Sequence, residues 1–355
     1  MSVPGSPSEA PTIVITGATS GLGRLAAIEL AKQGARLGLT ARSPERAAAT
    51  AACIEMAAPG TEVEIFMADF ARTADVRRVG REIAAHYARI DVLINNAGVH
   101  AFEQRITPDC YPEMVAVNYF APWILTQELL ATLKATPGAR IVNVASEASR
   151  RHGTLTLPSD LTDTVPFTAR GSSRLYGKSK LLDIMFTLEL ARRLDGTGLT
   201  ANCLDPGFNV TGLGRELGFA ARLEKILSAL HIGDPARGAG LIVKLATDPV
   251  FAGQSGGYYT VKNTRRLSPL SIPEVTQRCR RAFGQALKNF SAAHKSTVVE
   301  RDRASSDLRD PSRISLAPKG WFVHQPSWLP LLLGRPGYLG HPRQIQSEVQ
   351  GRRCQ

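Results

Sequence analysis

Thr12-Ile13-Val14-Ile15-Thr16-Gly17-Ala18-Thr19-Ser20-Gly21-Leu22-Gly23 decides how this chain folds. An apolar run ends at Ile15, glycines follow at 17, 21 and 23, and Leu22 opens a helical pattern that continues to Gln33. The order is strand, tight turn, helix. It is the first βα unit of an open parallel sheet, whose ligand crevice lies beyond the carboxyl ends of the strands. Glycines let the backbone turn sharply and approach a pyrophosphate, whose charge is held by unpaired N–H groups and the positive end of the helix dipole. The stretch predicts a doubly wound α/β fold with a dinucleotide held by Thr16, Gly17, Ser20, Gly21, Leu22 and Gly23. Three glycines alone also describe an ordinary turn, so the remainder of the chain must agree with this reading.

The next strand, Arg36–Thr40, ends in Thr40-Ala41-Arg42, and Ser43-Pro44-Glu45 supplies an N-cap, an N1 proline and an early acid for a helix to about Met56. An acid at the end of this strand would bond a ribose 2′-OH, whereas Arg42 offers a guanidinium to a 2′-phosphate. NADP(H) is therefore expected over NAD(H); the alternative is that Arg42 merely caps a solvent-exposed turn. A third strand, Glu62–Met67, runs into Ala68-Asp69-Phe70, and a helix follows from about Thr73 to Ala88. Val92-Leu93-Ile94 is a fourth strand leading into Asn95-Asn96-Ala97-Gly98. Tyr111 to Leu133 has helical apolar spacing with Asn118 inside it, where a buried amide needs hydrogen-bond partners. Arg140–Ser146 is the fifth strand, and Tyr176-Gly177-Lys178-Ser179-Lys180 is expected to open a long helix, with Tyr176 and Lys180 on one face. Thr200–Leu204 is the sixth strand, followed by Pro206-Gly207 and Thr211; Ala236–Thr247 is a helix and Gly256–Val261 the last strand.

Together, TGxxxGxG at 16–23, Asn95-Asn96-Ala97-Gly98, Asn118, Ser146 and the Tyr176/Lys180 pair resemble the short-chain dehydrogenase/reductase superfamily over residues 12–285. Phe186–Leu194 and Gly196–Asn202 are similar to its retinol dehydrogenase-like group. The resemblance implies a Rossmann-type fold with a mostly parallel seven-stranded sheet and helices on both faces. It also implies hydride transfer between NADP(H) and a carbonyl or alcohol, the substrate being a lipophilic aldehyde, ketone, retinoid- or steroid-like compound. Tyr176 would exchange the proton, Lys180 would lower its pKa and hold the nicotinamide ribose, Ser146 would bond the substrate oxygen, and Asn118 would hold a relay water. Cofactor contacts would come from the glycine loop, Arg42, Asn95, Ala97, Gly98, Pro206, Gly207 and Thr211. Asp69 would approach the adenine amino group, or else cap a helix. Residues Gly212 to His231 would cover the substrate, or form an ordinary amphipathic helix. The chain departs from the pattern at Ala145, where a second serine is common, and at Asp205, where that group has histidine. A catalytically silent NADP(H) sensor has no use for Ser146, Tyr176 and Lys180 together, and a sugar-nucleotide epimerase would carry TGxxGxxG.

The chain has 355 residues and a formal net charge of +12, with much of the excess near the C-terminus. Residues 1–11 read as a disordered leader rather than a signal peptide, and 286–355 as a basic, Pro/Ser/Arg-rich disordered tail. Within the tail, Trp328–Leu333 is an apolar patch too short to span a bilayer, with membrane-surface contact or docking on the domain as its alternatives to disorder. The five cysteines have no metal-ligand spacing and no disulfide pattern. A cytoplasmic enzyme with a small-molecule substrate, no nucleic-acid partner and no metal is expected, and self-association is left open.

Overall fold

The apolar run ahead of the glycine loop forms β1 (Thr12–Ile15), and all four of its residues are buried. In the computed structural model, which describes residues 10–207, 235–261 and 263–267, β1 lies inside an eight-stranded sheet of order β3-β2-β1-β4-β5-β6-β7-β8. The other strands are β2 (Arg36–Ala41), β3 (Val63–Met67), β4 (Val92–Asn95), β5 (Arg140–Val144), β6 (Thr200–Asp205), β7 (Tyr258–Thr260) and β8 (Asn263–Leu267). β1 pairs in parallel with β2 on one side and β4 on the other, so the direction of winding reverses there. That reversal opens the crevice in which a doubly wound sheet takes its ligand.

The first seven strands run parallel, as expected, and the eighth was not anticipated. The expected last strand, Gly256–Val261, is the shorter β7, and β8 returns antiparallel beside it. The physical reason is the connection: two residues separate β7 from β8, enough for a hairpin and far too few for a parallel crossover.

The helices are α1 (Gly21–Lys32), α2 (Pro44–Ala57), α3 (Thr73–His86), α4 (a run from Glu113–Val115 through a π-helical turn, Ala116–Phe120, into Ala121–Ala135), α5 (Ala169–Arg193) and α6 (Pro235–Thr247). Ser43 caps α2 as its sequence requires, its Oγ accepting from Arg46 N at 3.3 Å. α1 packs against α2 and α6, whereas α3 packs on α4 and α5 packs on the π-helical turn. Ile13 and Ile15 of β1, Leu30 of α1 and Leu37 and Leu39 of β2 are fully buried in one cluster beneath the glycine loop. Truncating one such leucine to alanine costs about 2–5 kcal/mol, so the loop stands on a rigid base.

One expectation is corrected by α5, which starts at Ala169 rather than at Tyr176. Gly171, Ser172 and Ser173 are weak helix formers, but Ser172 is fully buried and its hydroxyl donates to Ala101 O at 2.6 Å. A tertiary partner extends the helix where propensity would have ended it. Among the described residues no helix is long and apolar enough to cross a membrane, and no cluster of ligating side chains could hold a metal. Thr211, the 212–231 segment, the 286–355 tail and most of the leader lie outside the described residues.

Candidate active site

The glycine loop and the turn after β4 are built as one unit. Thr16 Oγ1 accepts from Asn96 N at 2.9 Å and Ala97 N at 3.0 Å, and Asn96 Nδ2 donates back to Thr16 O at 2.9 Å and Gly17 O at 3.2 Å. Gly17 has φ +66°, and a Cβ there would sit 2.8 Å from Ala97 Cα, so both its conformation and its surroundings demand glycine. A Cβ on Gly23 would run into the Asn96 amide and lie 2.5 Å from Gly17 O. Part of the glycine pattern thus serves contact between two loops of this chain. Ser20 is the N-cap of α1 without a side-chain capping bond, and the first turn has no acidic residue. No acidic side chain of the first turn therefore competes for the positive end of α1.

The two asparagines after Ile94 divide the work. Asn95 is 5% exposed and turns inward, its Nδ2 donating to Thr126 Oγ1 at 3.2 Å and Asn143 Oδ1 at 2.8 Å. Asn96, which was not among the expected site residues, is the one that ties the loops. The sequence carries no signal that separates it from Asn95, since the two are neighbours of one residue type and only the fold brings Asn96 to the glycine loop. Arg42 lies exposed just beyond β2 and makes no hydrogen bond or ion pair among the described residues. Asp69 follows β3; its Oδ1 accepts from Ala71 N at 3.1 Å, while the N-cap position of α3 belongs to Arg72. The capping alternative for Asp69 therefore falls, because its carboxylate closes a turn ahead of the helix.

At the end of β6, Asp205 is 6% exposed and joins two loops. Its Oδ1 accepts from Glu147 N at 3.0 Å, next to Ser146, and its Oδ2 from Gly207 N at 3.0 Å, in the Pro206-Gly207 turn. The residue that departs from the retinol dehydrogenase pattern thus fastens the Ser146 loop to that turn.

Ser146 follows β5 and accepts from Ala148 N at 3.2 Å, which leaves its hydroxyl proton to be given elsewhere. Its side chain interacts with the phenol of Tyr176, which is 9% exposed and has one ring face stacked on His100, with ring centroids 4.4 Å apart. Burial pushes the Tyr176 phenol above the usual tyrosine value; the Lys180 ammonium and the Ser146 side chain pull it down, and the Asp183 and Asp205 carboxylates push it up. Lys180 is 4% exposed, and its Nζ donates to Val144 O at 2.7 Å and to Asp183 Oδ2 at 3.0 Å. Burial favours its neutral form, but Asp183 and Tyr176 outweigh that and raise it.

Asn118 is fully buried on the π-helical turn. Its Nδ2 donates to Val99 O and Ser179 Oγ, both at 2.9 Å, and its Oδ1 accepts from Val99 N at 2.7 Å. Both amide donors are used inside the protein, where they bind the chain after Gly98 to α5. His100, Ser179 and Asp183 complete this neighbourhood and were not singled out by motif, since only the fold brings them to Tyr176, Asn118 and Lys180.

Residues 11–157 match the family model for short chain dehydrogenase. The chain is 35% identical to mouse retinol dehydrogenase 14 over 280 residues, covering 75% of this chain and 82% of that one. It is 31% identical to human dehydrogenase/reductase SDR family member 13 over 345 residues, covering 96% of this chain and 89% of the relative. Among solved structures it is similar to a blue fluorescent protein from a metagenomic library in complex with NADPH, with TM-score 0.56, 27% identity, and 72% of this chain and 97% of that one covered. With the glycine loop, the Asn95–Gly98 turn and the Ser146, Tyr176 and Lys180 side chains gathered at one edge of a parallel sheet, these likenesses establish that the chain belongs to the short-chain dehydrogenase/reductase family.

Proposed function

We propose that the protein is an NADP(H)-dependent oxidoreductase that interconverts a lipophilic aldehyde or ketone with its alcohol. The observation that carries the reading is the meeting of Ser146 with Tyr176, and of Lys180 with the end of β5, beside a glycine loop whose helix terminus has no competing acid. The residues present suit the cofactor. The α1 N-terminus and the Gly17–Gly23 backbone would hold the pyrophosphate, exposed Arg42 the 2′-phosphate, and the Ala97-Gly98 and Pro206-Gly207 turns the two ends of the dinucleotide. Asp69 is proposed near the adenine; Thr211 is proposed from sequence alone.

The nicotinamide supplies the hydride, and the protein supplies geometry and field. In reduction, Ser146 gives its hydroxyl proton as a hydrogen bond to the substrate oxygen while Tyr176 protonates that oxygen. The buried phenol of the free enzyme keeps its proton, the state that reduction requires. Lys180 places a positive charge near the phenol and stabilises the phenolate left behind. Asn118 acts by fixing the Val99 segment against Ser179, with its amide donors committed; a relay water there would bond to main chain instead.

The lipophilic substrate class rests on the likeness to retinol dehydrogenase 14 and to the retinol dehydrogenase-like segments Phe186–Leu194 and Gly196–Asn202. Cytoplasmic location, self-association and surface contact through Trp328–Leu333 rest on sequence alone and are tested by fractionation and by mass measurement in solution. The deciding experiment is NADPH oxidation with a panel of retinoid, steroid and short polar carbonyl compounds. Turnover of the apolar members, lost in Tyr176→Phe, supports the proposal; preference for the polar members removes the substrate class, and no turnover of any removes the activity.

A further inference from the structure

Lys180 and Asp183 form an ion pair in the interior, Nζ to Oδ2 at 3.0 Å, with side chains 5% and 3% exposed. Three residues apart on α5, they face one another by helix geometry. A second Nζ proton goes to Val144 O at 2.7 Å, at the end of the strand that leads to Ser146. The other Asp183 oxygen, Oδ1, is buried without a hydrogen-bond partner. A carboxylate held in this way returns little to folding, because its desolvation is only half compensated.

The groups around the pair leave Asp183 a distinct task. α5 itself contributes Tyr176; the π-helical turn contributes Tyr119, and β6 contributes Cys203, both pushed up first by burial and further by the Asp183 charge. Asp205, at the end of β6, acts on Tyr176. Asp183 is the carboxylate within ion-pair distance of Lys180 among the described residues. Burial pushes its own carboxyl up, against the pull of Lys180, and the 3.0 Å contact with Nζ favours the carboxylate form. An unpaired lysine in so dry a place loses its proton several units below the ordinary value.

We propose that Asp183 is a positioning residue that keeps the buried Lys180 side chain protonated and holds its ammonium against the end of β5. Asn at 183 would match its shape and could still accept from Nζ, but would carry no charge. This deepens the role given to Lys180 above, and its test uses the cofactor-free full chain, so it fails separately from the proposed activity.

The test is an NMR titration of the Lys180 Cε resonance, assigned by its loss in Lys180→Met, in the wild type and in Asp183→Asn. The wild-type midpoint should lie at or above the ordinary lysine value, and that of Asp183→Asn should fall by about two units or more. Tyrosinate absorbance should move oppositely, the Tyr176 midpoint rising once its neighbouring cation is lost. Stability gives a second measurement should the variant fold poorly. In Asp183→Asn the folded Lys180 pKa is depressed below its unfolded value of about 10.4, so the stability deficit is small at alkaline pH and widens as pH falls. Adding Lys180→Met should remove that pH dependence. An unchanged Lys180 midpoint overturns the proposal, as does a deficit that is equal at every pH and persists with Lys180→Met.

Discussion

Replacing Asp205 with asparagine tests whether one carboxylate holds the site together. The two oxygens accept from Glu147 N and Gly207 N, each at 3.0 Å, and the side chain is almost fully enclosed. The amide keeps the shape but offers one acceptor, so in either orientation its NH2 faces a backbone N–H. A buried hydrogen bond to a charged group contributes about 1.5–3 kcal/mol, and the stranded donor brings the expected loss of stability to about 2–3 kcal/mol. Urea unfolding of the cofactor-free protein, followed by tryptophan fluorescence, measures it. Because Glu147 adjoins Ser146 and Gly207 lies in a turn proposed to hold one end of the dinucleotide, kcat should fall too, by about tenfold to a hundredfold for a displacement near 1 Å. Asp205→Ala should lose more stability than Asp205→Asn, since both N–H groups are then stranded. Loss of under about 0.5 kcal/mol with unchanged kcat in Asp205→Asn would refute the bridging role, as that is the range of surface substitutions.

Tyr176→Phe should abolish turnover while the NADPH dissociation constant stays within a few-fold, because the ring and its stacking on His100 remain and only the proton donor goes. Wild-type-like turnover in steady-state assays would remove Tyr176 from the mechanism. Arg42→Ala should weaken NADPH about tenfold to a hundredfold, the worth of one charge-assisted contact, and scarcely change NADH; equal losses measured by fluorescence titration would make Arg42 structural. Gly17→Ala should cost at least about 1–2 kcal/mol for its positive φ alone, with more for the Cβ placed 2.8 Å from Ala97 Cα. Calorimetry that finds this variant as stable as the wild type would show that the loop can relax.

The sequence by itself determined whatever depends on short stretches of backbone. Ser43-Pro44-Glu45 starts a helix because capping needs only the next three residues, and the Thr12–Gly23 run specifies strand, turn and helix through local φ and apolar spacing. The Tyr176 and Lys180 pair was legible too, since a spacing of four fixes one helix face. Tertiary structure decided where partners come from distant positions. α5 begins at Ala169 because Ser172 finds Ala101 O across the fold, and β8 exists because a two-residue connection lets the chain turn back on β7. Asn95 and Asn96 are neighbours of one residue type, and only alternation across the end of β4 sends one inward to Asn143 and the other to the glycine loop. Asp183 lies in an ordinary-looking charged spacing with Lys180, which on an exposed helix would be a solvated pair. Burial at 5% and 3% of their side-chain surface makes the carboxylate matter to the charge of the lysine, and burial is a property of the assembled sheet and helices.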